Sequence, residues 1–155
     1  MDVVYKTERA IFNYRVAGIW IEDGHVLLHK DVNESNWSLP GGRVEIAEEA
    51  QVSIKREFRE ELDIDITVNG LTWIVENFFE YGGKDIHEIG LYFSVSSNKT
   101  TFEINDTPFY GIEGDRLIYK WNPIEKLSEI ELYPEFLRSN IKKLPMNTEH
   151  IVQRK

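Results

Sequence analysis

Gly42-Arg43-Val44-Glu45-Ile46-Ala47-Glu48-Glu49-Ala50-Gln51-Val52-Ser53-Ile54-Lys55-Arg56-Glu57-Phe58-Arg59-Glu60-Glu61-Leu62-Asp63-Ile64 is the stretch that decides the fold. From about Ala47 to Leu62, apolar side chains at Ala47, Ala50, Ile54, Phe58 and Leu62 recur every three or four residues. That period predicts a helix with one face buried on a sheet. Glu57, Glu60 and Glu61 sit at i, i+3 and i+4, so the three carboxylates project from one face beside the apolar stripe. In the C-terminal half of a helix they repel one another and oppose the macrodipole, each at roughly a few tenths to one kcal/mol. A hard divalent cation with oxygen ligands would turn that repulsion into coordination. The competing reading is a solvated face partnered by Lys55, Arg56 and Arg59.

Upstream, Ala17–Ile21 and His25–His29 are β-rich runs separated by Glu22-Asp23-Gly24, in which Asp-Gly signals a hairpin. Pro40-Gly41-Gly42 breaks the chain before the helix. Downstream, Ile64–Val68, Leu71–Phe79, Ile89–Val95 and Leu117–Trp121 read as strands, the middle two joined through Tyr81-Gly82-Gly83. Beyond Pro123 the pattern gives a short helical piece, then a longer terminal helix after Pro134 anchored by Phe136, Ile141 and Leu144. The stretch 145–155 reads as a loosely held polar tail. Mixed strands with two main helices predict an α/β layered fold, and 155 residues suit one domain.

The formal net charge of −9 disfavours nucleic acid and acidic membrane surfaces as partners. A phosphorylated substrate is disfavoured too, unless a cation or local basic residues reverse the field. No run is apolar and long enough for a membrane span, and no export signal opens the chain. With no cysteine, disulfides, thiolate metal sites and cysteine nucleophiles are excluded. The expectation is a cytoplasmic protein. Four matches to the N-glycosylation pattern, at Asn33, Asn36, Asn98 and Asn105, then carry no consequence.

Gly42, Glu48, Arg56, Glu57, Phe58, Glu60, Glu61, Asp63 and Ile64 have the spacing of the Nudix box: Gly, five residues, Glu, seven residues, Arg-Glu, apolar, any, Glu-Glu, any, Gly, apolar. Only its second glycine, here Asp63, departs. Six fixed residues at average usage give a chance expectation on the order of 10⁻⁵ for a chain of this length. Asp tolerates the left-handed backbone expected there better than most residues do. Pro40-Gly41 and Glu45 also look like this family, so the chain resembles the MutT-type Nudix hydrolases.

The resemblance implies an α/β/α sandwich around a mixed sheet. It also implies hydrolysis of a pyrophosphate bond in a nucleoside diphosphate derivative, with Mg²⁺ or Mn²⁺ held by Glu57, Glu61 and Glu60 and by the Gly41 carbonyl. Glu60 is the first choice for deprotonating water. Glu88, in His87-Glu88-Ile89-Gly90, is a candidate base outside the box, and otherwise an ordinary carboxylate at a strand start. Arg56 would orient the carboxylates through Glu48. Lys30, His29 and Arg15 fall where family members present basic groups to phosphates; otherwise they are surface charges and a satisfied strand histidine. Trp37, Phe78, Phe79, Tyr81 and Phe109 offer rings on which a base could stack. The implied partner is a small nucleotide, with a homodimer compatible.

Two other classes compete. A Nudix-fold sensor that binds a nucleotide without cutting it usually lacks box glutamates, which are all present here. A glycosidase pair would place its carboxylates on separate elements flanking a sugar cleft.

Overall fold

The computed structural model describes residues 1–98 and 103–155; Lys99 and Thr100, which complete the Asn98 pattern, lie outside them. In chain order the elements are β1 (Val4–Lys6), β2 (Ala10–Glu22), β3 (His25–Asp31), β4 (Gly41–Arg43), α1 (Ala50–Leu62), β5 (Thr67–Tyr81) and β6 (Lys84–Ser96). There follow β7 (Phe109–Tyr110), β8 (Leu117–Pro123), a 3₁₀ segment (Ile124–Glu129), α2 (Leu137–Asn140) and β9 (Glu149–Arg154).

The strands run β7-β8-β3-β2-β6-β5-β9, with β1 and β4 also on β2. The sheet is mixed: β2 is parallel to β6 and β5 to β9, while the other pairs are antiparallel.

Strand β2 is the spine. One edge pairs with β6 from Ala10 to Trp20. The other is met in turn by β1 at Ile11–Asn13, β4 at Arg15–Ala17 and β3 at Ile21–Glu22. The Asp23-Gly24 hairpin forms as expected, both residues having positive φ (48° and 71°), which a two-residue primed turn requires. Its arms then separate, and β3 pairs along its whole length with β8. The backbone of Ser38–Gly41 fills the opening: His29 and Ser38 exchange hydrogen bonds of 2.9 Å, and Gly18 N donates to the Pro40 carbonyl at 2.8 Å.

Helix α1 covers one face, burying Ile54, Phe58 and Leu62 against Val16, Trp20, Phe93, Tyr119 and Trp121. On the other face Leu127, Leu132, Leu137 and Ile141 pack on Ala17, Ile19, Val26, Leu28, Trp73 and Tyr92. The result is the expected α/β/α layering, with a much slighter second helical layer.

The expectations need four corrections. Helix α1 starts at Ala50, because Ala47 takes a left-handed φ of 66° that no helix accommodates. Strand character begins at Thr67, not Ile64; Ile64 and Ile66 instead drop into the core from an irregular exit. The terminal helix shrinks to Leu137–Asn140, as Phe136 turns its ring edge-on to Trp73 at 5.1 Å. Finally, 145–155 is no loose tail. Glu149–Arg154 pairs in parallel with Trp73–Phe78, supplying the partners that the edge of β5 would otherwise lack.

Candidate active site

The approach to α1 is built by close contact. Gly42 lies against the Glu57 carboxylate, where any Cβ would collide with it. Gly41 meets the Val16 carbonyl just as closely. Glycine is therefore a steric requirement at Gly41, where the neighbour is backbone, while at Gly42 it leaves the Glu57 carboxylate its place beside β4. At the far end, Asp63 turns the chain with φ 55° and ψ 40°, its N–H donating to the Arg59 carbonyl at 3.0 Å. The expected left-handed departure is thus made by an aspartate.

Arg56 organises the acidic cluster. Its Nε and Nη2 donate to Glu48 at 2.8 and 3.0 Å, and Nη1 donates to Glu57 at 3.0 Å and Glu60 at 3.2 Å. The anticipated Arg56–Glu48 pairing is present, and these hydrogen bonds hold the Glu48 carboxyl at about 2. Glu61 lies deeper, only 8% exposed. Its Oε2 accepts from the Tyr119 hydroxyl at 2.8 Å. Burial pushes its carboxyl up to about 7, against the downward pull of Tyr119 and Arg15 and with the repulsion of Glu57. Burial raises Glu57 as well, opposed chiefly by Arg56.

Among the described residues no three side chains already converge as an ion cage. Arg56 takes up oxygens of Glu57 and Glu60, and Tyr119 holds one oxygen of Glu61. The donor set nevertheless suits a hard cation. Two mutually repelling, desolvated carboxylates one helical turn apart, beside a glycine backbone, are all-oxygen donors whose raised protonation shows that Arg56 and Arg15 do not offset their burial.

Behind Glu61 a small void of about 40 Å³ is lined by Glu113, Arg116 and Tyr119 among others, and Ile112 N ties this loop to the Glu61 carbonyl at 2.8 Å. The charge of Glu113 acts on both Glu61 and Tyr119. Sequence reasoning missed this carboxylate; its signal is an acidic residue between Gly111 and Gly114, just before a strand.

A larger cavity of about 450 Å³ opens on the sheet face opposite α1, lined by Arg15, Phe79, Tyr81, Glu88 and Tyr133 among others. Arg15 donates to the Leu39 carbonyl at 2.8 Å, and its charge also reaches Glu57 and Glu61. It thereby links the cavity to the carboxylate helix.

The remaining expected residues are spread out. Glu88 lies on the cavity side, its Oε2 accepting from Asn13 at 2.7 Å, and no hydrogen bond joins it to the helix glutamates among the described residues. Lys30 Nζ donates to the Glu34 carbonyl at 2.6 Å and sits over the Trp37 ring, so neither residue lines the cavity. His29 is 6% exposed; burial, with Arg15 and Arg116, lowers it to about 3, and its Nδ1 is buried without a partner. A neutral imidazole is no counter-charge for phosphate. Phe78 is on the other face against His87, and Phe109 stacks on Tyr119.

A family model for the NUDIX domain matches residues 13–143, taking in the spine strand, the carboxylate helix and most of the cavity. The chain belongs to the Nudix family. A MutT-like protein of Streptomyces ambofaciens is 33% identical over 72 residues, 46% of this chain and 47% of that relative. The chain thus matches about half the length of that curated relative.

Among solved structures, a Nudix hydrolase of Nitrosomonas europaea superposes with a TM-score of 0.64 at 18% identity, covering 92% of this chain and 79% of that one. The MutT protein of Methanosarcina mazei Go1 gives 0.57 at 23% identity over 85% and 91%. An ADP-ribose pyrophosphatase of Streptococcus suis 89-1591 gives 0.54 at 14% over 91% and 98%. The mixed sheet between helical layers is therefore the Nudix fold, and the helix from Ala50 to Leu62 is its Nudix helix.

Proposed function

We propose that this Nudix chain hydrolyses a pyrophosphate bond in a nucleoside diphosphate linked to another moiety, using Mg²⁺ or Mn²⁺. The observation that carries the reading is the pair Glu57 and Glu61. Glu61 is buried and Glu57 half-buried on one helix face, both are raised by desolvation, and both are within the field of Arg15, which lines a 450 Å³ cavity. A purely structural helix gains nothing from such placement. The names of similar folds, among them an ADP-ribose pyrophosphatase and a UDP-X diphosphatase, are consistent with this bond type.

Glu57 and Glu61 would hold the cation, with Glu60 and the Gly41 carbonyl completing the oxygen set. When bound there, it supplies Lewis acidity at phosphorus and acidifies a water. Glu60, the most exposed of the three at 48%, takes the proton from the attacking water and returns it to solvent. Glu113 is the better carboxylate outside the box for that task, since its charge reaches Glu61 whereas Glu88 is bound to Asn13. Arg56 bridges Glu57 and Glu60 through Nη1 and orients both. Arg15 pairs with a phosphate oxygen and sets the nucleoside into the cavity. The cell compartment proposed is the cytoplasm.

The test is release of phosphate-containing products from a nucleotide panel with Mg²⁺. Glu57→Gln and Glu61→Gln should each cut turnover by several orders of magnitude while the protein stays folded. Near-normal rates at saturating Mg²⁺ would overturn the assignment. One feature favours a silent sensor: Arg56 already occupies oxygens of two of the glutamates. Tight nucleotide binding without turnover by wild-type protein would select that reading.

A further inference from the structure

The two ends of the sheet are finished differently. At one end β7 is only Phe109–Tyr110, too short to serve as a pairing edge. At the other, β9 pairs in unbroken register with β5 on one side and with no strand on the other among the described residues. Lys155 N donates to the Phe78 carbonyl at 3.1 Å, so the odd-numbered residues of β9 direct their backbone groups to β5. Those of His150, Val152 and Arg154 point outward, and none has a backbone partner among the described residues. Neither proline nor a bulge blunts this edge from Glu149 to Arg154. Beside it Val152 is 53% and Ile74 36% exposed.

This edge is complementary to itself. Because only alternate residues turn their backbone outward, a twofold antiparallel pairing must set even-numbered residues against even-numbered ones. With the axis at Val152, that residue meets its own copy, His150 meets Arg154, Ile151 meets Gln153 and Glu149 meets Lys155. Both ends of the pairing then carry an opposite charge pair, built from side chains that are exposed on the single chain. Glu76, hydrogen-bonded to His150 at 2.8 Å, adds a carboxylate beside the incoming Arg154. With the axis at Ile151 or Gln153 instead, Lys155 would face Asn147 or Ile151 and the charge pairs would be lost.

We propose that β9 docks a second copy of this chain, edge to edge and antiparallel, about a twofold axis at Val152. The pairing satisfies the outward backbone of both copies with about six hydrogen bonds and joins the two sheets into one. Both copies use the same patch, so assembly stops at the dimer and does not propagate. Gln153 and Lys155 also line the large cavity, so the contact braces one wall of each cavity. The contact is independent of the chemistry at the carboxylate helix.

The experiment is sedimentation equilibrium of the full chain from about 1 to about 100 μM. Wild type should follow a monomer–dimer equilibrium with nothing larger, and exchange of the Val152 amide proton should slow as concentration rises. Lys155→Glu sets two carboxylates together at each end and should weaken dimerisation at least about tenfold. Adding Glu149→Lys restores opposite charges and should bring dimerisation back to within about threefold of wild type. Glu149 also accepts from Trp73 Nε1 at 3.3 Å, so should the double variant fail to fold, Val152→Lys gives the same test. It places two like charges on the axis, leaves the pairing with β5 intact, and should yield a monomer. A wild type that stays monomeric throughout leaves the edge to a foreign strand and overturns the proposal. So does a dimer whose Val152 amide exchanges equally fast at every concentration, or one that folded Lys155→Glu and Val152→Lys variants form as tightly as wild type.

Discussion

Glu61 makes the metal-free protein less stable as pH rises, and the size of that effect follows from its surroundings. The carboxyl is 8% exposed and sits at about 7 in the folded chain, against an ordinary value of 4.5. Below the lower value both folded and unfolded chains are protonated and the residue is neutral in effect. As pH climbs from 4.5 through 7 the unfolded chain loses its proton first, so stability falls; above 7 the loss is complete. Replacing Glu61 by glutamine preserves shape and the Tyr119 hydrogen bond but removes the titration. With 1.4 kcal/mol per pH unit, the stability advantage of Glu61→Gln over wild type should grow by about 2.5 kcal/mol between pH 5 and pH 8. Urea unfolding of both proteins in EDTA at the two pH values measures this directly. A gap that stays constant within about 0.5 kcal/mol would refute the claim that Glu61 is buried uncompensated. Added Mg²⁺ should stabilise the wild type more than the variant at pH 8.

Four further outcomes are expected. Asp63→Gly and Ala47→Gly each relieve a left-handed non-glycine backbone, and each should raise stability by about 1 kcal/mol in thermal or urea unfolding without altering turnover. Gly42→Ala would displace the Glu57 carboxylate and should cost more than tenfold in turnover with little change in melting temperature. Gly18→Ala places a methyl group 2.6 Å from the Phe58 ring and should destabilise by about 1–3 kcal/mol. Glu113→Gln should lower kcat or Mn²⁺ affinity, measured by titration of the ion, whereas Glu49→Gln on the exposed start of the helix should change neither.

The helix, its buried stripe and its acidic face were legible because all three depend on spacing within 23 residues. So was the Asp23-Gly24 turn, a local matter of positive φ. What escaped the sequence were features set by distant partners. Nothing local tells Glu149–Arg154 that β5 has an open edge, or that Ser38–Gly41 must fill the gap between two diverging strands. The candidate site divides in the same way. The pairing of Arg56 with Glu48 is implied by the resemblance to the box, but Tyr119 and Glu113 reach Glu61 from across 58 and 52 residues, counted along the sequence. Arg15 and Phe79 line the cavity, while Lys30 is drawn off by the Glu34 carbonyl and the Trp37 ring.

The spine strand has a consequence for how the protein fails under heat. Strand β2 is bonded on both edges over most of its length, and β4, which carries the glycines of the site, is one of the segments bonded to it. The first residues reinforce that junction, with Val3 N donating to Val44 and Ile46 N to Met1, each at 2.8 Å. Amide protons of Val16 and Gly18 should thus be among the slowest to exchange, and loss of activity on warming should coincide with global unfolding instead of preceding it. A thermal inactivation curve running ahead of the unfolding curve would mean that the site opens on its own.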